Sequence, residues 1–100
     1  MLAMGWCAIA PHSRTGKGHG DHLLHRTGHG FGLGAHEGPW VAAGSDDVLQ
    51  ENMLISIEPG IYVPDYGGVR HSDTVLVTAD GYEVLTPMPA SLDAMTLAAA

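Results

Sequence analysis

The sequence predicts an α+β fold that is dominated by antiparallel strands and carries glycine-rich loops. The chain has 100 residues, of which 45% are hydrophobic and 15% are charged, so it allows one domain at most, with a thin core. From Met53 onward the pattern alternates with period two, as half-buried strands do. Eight of the 14 glycines lie between Gly16 and Gly38, which disfavours a helix there.

The N-terminal half contains few clear elements. Met1–Ala10 is apolar without an evident amphipathic period, and residues 11–20 have the glycine and serine content of a loop. Asp21–Arg26 fits either a short strand or a turn. Gly28–Gly38 alternates glycine with larger residues and is expected to be extended or looping. Gly44–Gln50 predicts a turn followed by a short helical piece.

The C-terminal half is predicted to form strands. They are Met53–Ile57, Ile61–Val63, Thr74–Thr78 and Tyr82–Leu85. A turn is expected at Asp65–Gly68, and Asp80-Gly81 between two β-rich runs predicts a hairpin. The tail, Ser91–Ala100, fits either a terminal helix capped by Ser91 or a frayed end.

Charge and cysteine content narrow the classes of function. The 11 acidic and 4 basic side chains give a formal net charge of −7, which argues against nucleic acid and anionic membranes as partners. The single cysteine, Cys7, excludes an internal disulfide and favours a reducing compartment, so we expect a cytoplasmic protein. No apolar run approaches the roughly 20 residues that a membrane span needs.

Three polar features are candidates for chemistry. His25, His29 and His36 follow the spacing H-x3-H-x6-H, which fits either a metal or catalytic site or a glycine-rich surface loop. Glu58 interrupts an apolar strand, so it is either outward-facing or buried and paired. Arg70 either orients acidic groups through its planar guanidinium or lies in solvent. The residue pattern alone leaves these alternatives open.

Several motifs occur in a fixed order. They are His25-Arg26-Thr27-Gly28-His29-Gly30-Phe31-Gly32-Leu33, His36-Glu37, Glu58-Pro59-Gly60-Ile61-Tyr62, Gly68-Val69-Arg70 and Asp73-Thr74-Val75-Leu76-Val77-Thr78. Together they resemble the pita-bread metallopeptidase family, which includes creatinase and methionine aminopeptidase, and most of all its Xaa-Pro aminopeptidase and prolidase branch. The resemblance implies the C-terminal portion of that fold, an incomplete domain, at residues 20–86. It leaves an atypical segment at 1–19 and a tail at 87–100.

The resemblance also implies roles for individual residues. Metal-dependent members hold two divalent ions with two aspartates, one histidine and two glutamates. His29 would be the histidine ligand, and Glu58 the first glutamate ligand and proton shuttle. His36 would stabilise the tetrahedral intermediate, His25 would line the substrate pocket, and Arg70 would orient carboxylates. Such members hydrolyse Xaa-Pro or similar amide bonds with metal-activated water, and their ligands suit manganese or cobalt, or zinc.

The sequence departs from the family pattern in two ways. Ser72 stands where the second glutamate ligand is expected, and the neighbouring His71 and Asp73 would point to the opposite face of a strand. Before His25 the chain offers only Asp21 toward the two aspartate ligands. We therefore expect an incomplete metal site, and a chain that is the end of a longer enzyme and is inactive by itself.

Three hypotheses follow. The chain is part of an Xaa-Pro-type peptidase, or part of a creatinase-like, metal-independent C–N hydrolase, which Ser72 favours. Alternatively, as the missing aspartates favour, it is a non-enzymatic remnant that folds only with a partner or not at all, and whose exposed strand edges and apolar face invite association. The expected partners are a peptide or small amide substrate and a second copy of the chain. Dependence on manganese separates the first hypothesis from the second.

Overall fold

Antiparallel strands dominate the structure, a computed structural model that describes residues 20–99. A 3-10 turn at Gly20–His22 precedes the strands, and the short helix α1 at Leu92–Met95 follows them. The strands of this described part are β1 Gly28–Gly30, β2 Glu37–Val41, β3 Leu54–Ile57, β4 Gly60–Val63, β5 Gly67–Arg70, β6 Asp73–Val77 and β7 Tyr82–Val84.

The larger sheet has the strand order β2-β1-β3-β6-β7, with antiparallel pairing throughout. The short strand β1 lies inside it, with His29 opposite Trp40 on β2 and opposite Ser56 on β3. Gly28 permits this pairing, because a Cβ at that position would overlap the carbonyl oxygen of Ser56. A glycine therefore brings the backbone that carries His29 against β3.

One face of this sheet carries the core. Its buried side chains are Val41, Ile55, Val75 and Val77, with Leu49, Met53, Ile57 and Val84 packed against them. Ile55 lies opposite Val75, which in turn lies opposite Val84, so the period-two pattern places these residues on one face. Ser56 alternates with Ile55 and Ile57, and His29 lies opposite Ser56, so both of these buried side chains point to the other face of the sheet.

The second sheet is the hairpin β4–β5, which leaves the larger sheet directly after Glu58. Gly60 lies opposite Arg70, and a turn with Asp65 at a φ of 66° joins the two strands. The backbone N–H of Glu58 donates to the carbonyl of Thr27 at 2.5 Å, which ties the start of the hairpin to the residue before β1. This connection brings β5 back toward the histidine-rich segment.

Most of the predicted elements are present, with shifts of one or two residues at their ends. The β6–β7 hairpin is confirmed, with Val77 opposite Tyr82 and the N–H of Thr78 donating to the carbonyl of Gly81. Gly28–Gly38 is extended and looping as predicted, since it contains β1, a loop and the start of β2.

The predicted helical piece within Gly44–Gln50 is wrong. A turn is present, with Gly44 at a φ of +78°, but residues 45–50 are irregular. The Asp47 carboxylate accepts a hydrogen bond from the N–H of Trp40 at 2.6 Å, and the Asp47 N–H donates to the Ser45 hydroxyl at 3.3 Å. These bonds hold the segment along β2, as short polar side chains do when they compete with helical hydrogen bonds.

The two ends of the described chain contain little regular structure. Asp21–Arg26 forms no strand, and the only regular element that enters it is the 3-10 turn. Ser91 caps α1 by accepting the N–H of Ala94 at 3.2 Å, while residues 96–99 are irregular. The interpretations of Met1–Ala10 and residues 11–19 lie outside the described residues. No helix within 20–99 combines the length and apolar character that membrane crossing requires.

Candidate functional site

Five residues that the sequence singled out converge in space. We call this group the His–Glu cluster; it consists of His25, His29, His36, Glu58 and Arg70. His29 lies on β1 and Glu58 directly follows β3, and the antiparallel pairing of Gly28 with Ile57 makes these two side chains neighbours. Arg70 ends β5, and the other two histidines lie in the segments that flank β1.

His29 and Glu58 form the buried centre of the cluster. His29 Nδ1 lies 3.0 Å from the carbonyl oxygen of Gly30, and since a carbonyl can only accept, this nitrogen carries the proton of the neutral ring. The other nitrogen, Nε2, therefore presents a lone pair and lies 3.8 Å from Glu58 Oε1. The side chains of His29 and Glu58 are 4% and 17% exposed. A lone pair and a carboxylate oxygen that face each other in this setting fit a cation between them.

The second oxygen of Glu58 is held from two sides. The Ser56 hydroxyl donates to Oε2 at 3.2 Å, and Arg70 Nη1 lies 3.8 Å from the same oxygen. Of the two alternatives for Glu58, the structure thus shows the mostly buried and paired one. Sequence reasoning missed Ser56. Alternate residues of a strand point to the same face, so a serine two residues before Glu58 in an apolar strand could have been expected beside that carboxylate.

Arg70, Tyr62 and His25 form a hydrogen-bonded triangle. Arg70 Nε donates to the Tyr62 hydroxyl at 3.1 Å, and Arg70 Nη2 lies 3.2 Å from His25 Nε2. A guanidinium can only donate, so His25 Nε2 accepts, and it also accepts a hydrogen bond from the Tyr62 hydroxyl at 2.8 Å. His25 Nδ1 then donates to the carbonyl of Arg26 at 2.6 Å. Tyr62 was not among the predicted site residues, although it ends the quoted motif that begins at Glu58.

His36 is an exposed member of the cluster, on the loop between β1 and β2. Its ring centroid lies 4.5 Å from that of His29 at an interplanar angle of 56°, and Phe31 contacts His29 edge-on with centroids 5.2 Å apart. Within the described chain, the His36 ring makes no side-chain hydrogen bond that would fix it. Its nitrogens are therefore accessible to a ligand beside His29.

Among the described residues, Ser72, His71 and Asp73 make no side-chain hydrogen bond or ion pair with the His–Glu cluster. Ser72 is exposed, and His71 Nε2 pairs with Asp73 Oδ2 at 2.7 Å. Among residues 20–99, no set of three or more histidine, cysteine, aspartate or glutamate side chains is placed to hold a metal ion. The described residues thus offer the donor pair of His29 and Glu58, without a third side chain of these types placed to hold the same ion.

Known proteins share both the sequence and the fold. The chain is 49% identical over 72 residues to an Xaa-Pro dipeptidase from Lactobacillus delbrueckii subsp. lactis, covering 72% of this chain and 20% of that protein. A prolidase from Pyrococcus furiosus superposes with a TM-score of 0.78 and 46% identity, over 83% of this chain and 25% of that one. An Xaa-Pro dipeptidase from Bacillus anthracis superposes with a TM-score of 0.80 and 47% identity, over 85% of this chain and 24% of that one.

These similarities confirm the expected fold, a partial pita-bread domain of mostly antiparallel strands. The chain spans about a fifth of the length of the curated relatives that it matches.

The sequence profile of a peptidase family covers most of the chain. The profile, described as metallopeptidase family M24, matches residues 4–79. The match includes every member of the His–Glu cluster and begins inside the segment 1–19. The domain boundaries expected at residues 20 and 86 stay predictions. On the profile match, the chain belongs to metallopeptidase family M24.

Proposed function

We propose that the chain supplies part of the active site of a peptidase that hydrolyses an Xaa-Pro or similar amide bond. The observation that carries the proposal is the buried pair formed by His29 Nε2 and Glu58 Oε1, which face each other at 3.8 Å with no proton between them in the neutral ring. Membership of a metallopeptidase family and relatives named Xaa-Pro dipeptidase and prolidase support it.

His29 and Glu58 would hold a divalent ion. An imidazole nitrogen with a carboxylate oxygen suits manganese or cobalt, and also zinc. When bound, such an ion lowers the pKa of a coordinated water and polarises the scissile carbonyl. The hydrogen bond from His29 Nδ1 to Gly30 keeps Nε2 directed at the ion, as the outer partners of metal-bound histidines do. Two donors leave most of an ion's coordination unfilled, so we expect weak binding of one ion and no peptidase activity from these residues alone.

The remaining members of the cluster have distinct proposed roles. His36, beside His29 and exposed, would donate a hydrogen bond to the oxyanion that forms at the substrate carbonyl. His25 would line the substrate pocket with its ring fixed by Tyr62 and Arg70. Arg70 holds the carboxylate of Glu58, which would carry the proton from the attacking water to the leaving amine.

A calorimetric titration of the full chain with Mn²⁺ tests the donor pair. We expect weak binding by the unsubstituted chain and none by His29→Ala, because the buried nitrogen donor is lost. His71→Ala is the matched control, since it removes an exposed imidazole that pairs with Asp73 outside the cluster. Unchanged Mn²⁺ binding by His29→Ala would reject the ligand assignment.

Ser72 favours a second candidate, a creatinase-like hydrolase of small C–N substrates that needs no metal. A serine hydroxyl is a poor ligand for a divalent ion, and the family resemblance implies that a glutamate ligand would stand at this position. The substitution Ser72→Glu separates the two candidates. If the site is of the metal type, Mn²⁺ binding should tighten by about tenfold or more, and Ser72→Gln should not reproduce the gain. Absence of Mn²⁺ binding by all three proteins would favour the metal-independent candidate, whereas equal measurable binding would show that position 72 supplies no ligand.

The proposed setting is the cytoplasm, with a peptide or small amide as substrate. The single cysteine and the net charge of −7 support this setting, because they fit a reducing compartment and disfavour polyanionic partners.

A further inference from the structure

The loop that carries His36 has little packing of its own. Residues 31–36 join β1 to β2, all six are exposed, and the loop contains Gly32 and Gly34. A glycine-rich, unburied loop loses much conformational entropy when it adopts one shape. Nevertheless, this loop holds the His36 ring 4.5 Å from the ring of His29. A contact from a group outside the loop would offset part of that entropy cost.

The carboxylate of Glu37 occupies the inside of this loop. The N–H of Gly34 donates to Glu37 Oε2 at 3.0 Å. The other oxygen, Oε1, lies so close to Gly32 that a Cβ there would overlap it. The side chain at the start of β2 thus turns back and fills the space that the two glycines leave open. Within residues 20–99 the carboxylate of Glu37 makes no ion pair, so it acts on the loop through hydrogen bonding and packing.

We propose that Glu37 is a positioning residue that fixes the 31–36 loop and thereby holds His36 against His29. His36 has a ring contact but no side-chain hydrogen bond within the described chain, so the adjoining backbone determines where its ring lies. Glu37 is the next residue along the chain, and it anchors that backbone through Gly34. The inference rests on the role proposed above for His36 at the substrate carbonyl.

The test is the proximity of the two rings, measured by nuclear Overhauser effects in the full chain with labelled histidine and tyrosine. The unsubstituted chain should show a cross-peak between His29 and His36. It should also show one between His25 and Tyr62, whose ring centroids are 5.3 Å apart. In Glu37→Ala we expect the first cross-peak to be lost and the second to persist. Glu37→Gln should keep both, because its amide oxygen still accepts the N–H of Gly34.

Two glycine variants test the same contact from the loop side. Gly32→Ala should displace the carboxylate and remove the His29–His36 cross-peak, whereas Gly81→Ala should keep it. Gly81 is the matched control because a Cβ there meets nothing nearer than the Thr78 hydroxyl at 3.9 Å. An undiminished His29–His36 cross-peak in Glu37→Ala would overturn the inference. Loss of both cross-peaks would overturn it as well, because Glu37 would then support the whole fold.

The measurement of ring proximity needs neither metal nor substrate. Its outcome therefore tests the positioning role of Glu37 independently of the proposed metal binding. If Glu37→Ala separates the rings while no variant binds Mn²⁺, the positioning role stands and the metal assignment falls. If Mn²⁺ binds through His29 while Glu37→Ala leaves the rings together, the metal assignment stands and the positioning role falls.

Discussion

At the scale of single residues, the cluster is ordered by groups whose hydrogen-bonding direction is fixed. Arg70 can only donate and the carbonyls of Arg26 and Gly30 can only accept, so the protons of His25 and His29 follow from their neighbours. His25 and His29 are both protonated at Nδ1 when neutral, and each presents Nε2 toward the site. The cluster therefore depends on backbone carbonyls as much as on its own side chains.

Gly28→Ala should be strongly destabilising. The new Cβ would overlap the backbone oxygen of Ser56, so β1 and β3 would have to separate where they bring His29 to Glu58. We expect the free energy of unfolding to fall by about 1–3 kcal/mol, the usual cost of overpacking, in urea denaturation. Gly81→Ala is the control and should change it by less than about 0.5 kcal/mol. Equal stability of the two variants would show that β1 does not need a glycine at position 28.

The sequence located the predicted site residues but not all of their partners. His25, His29, His36, Glu58 and Arg70 were identified by their motifs, and the fold places them together. Tyr62 and Ser56 were missed because both have ordinary structural explanations in a strand. Their part in the site depends on which strands are adjacent, and no local pattern contains that information.

At the scale of elements, the predicted strands of the C-terminal half are present, but β2 was not predicted, and β5 begins at Gly67, inside the segment that was expected to be a turn. Period-two alternation predicted β3 and β6, because one face of each is buried in the core. The helical piece after Gly44 was wrong because Asp47 bonds to Trp40 on β2, a contact that depends on tertiary structure. The placement of β4 and β5 in a separate sheet likewise depends on how the chain turns after Glu58.

Helix α1 should depend mainly on its N-terminal cap. It spans four residues and buries none of them, so the Ser91 hydroxyl on the N–H of Ala94 is its main support. Ser91→Ala should speed amide hydrogen exchange at Ala94 several-fold, because losing such a cap costs about 1 kcal/mol locally. Global unfolding in urea should be unchanged, and a clear fall in the unfolding midpoint would mean that α1 packs on the remainder of the chain.

At the scale of the whole molecule, many apolar side chains face solvent. Among the exposed residues are Leu24, Leu33, Tyr66, Val69, Leu92 and Leu97. Within residues 20–99, strands β2 and β7 lie at the edges of the larger sheet, and β4 and β5 form a sheet of two strands, so each of these four strands pairs with one neighbouring strand. Such a surface favours contact with another protein surface, including that of a second copy.

We predict concentration-dependent self-association, measurable by sedimentation velocity. Added salt should strengthen it, because screening weakens the repulsion between chains of net charge −7. Val69→Lys should weaken it by placing a charge on the edge strand β5, where Val69 is 70% exposed. Ala79→Lys, in the exposed loop between β6 and β7, is the control. A monomer at all concentrations and salt levels would contradict the prediction.

The separation in sequence of the cluster residues has a consequence for folding. The bond between His25 and Arg70 joins residues 45 positions apart, and that between His25 and Tyr62 joins residues 37 apart. Closing long chain segments costs more entropy than forming the local hairpins β4–β5 and β6–β7, so those hairpins should form first. The donor pair and the triangle around Arg70 then assemble only when β1 docks. A partly folded chain would therefore present no paired donors, and ion binding would begin only when folding is complete.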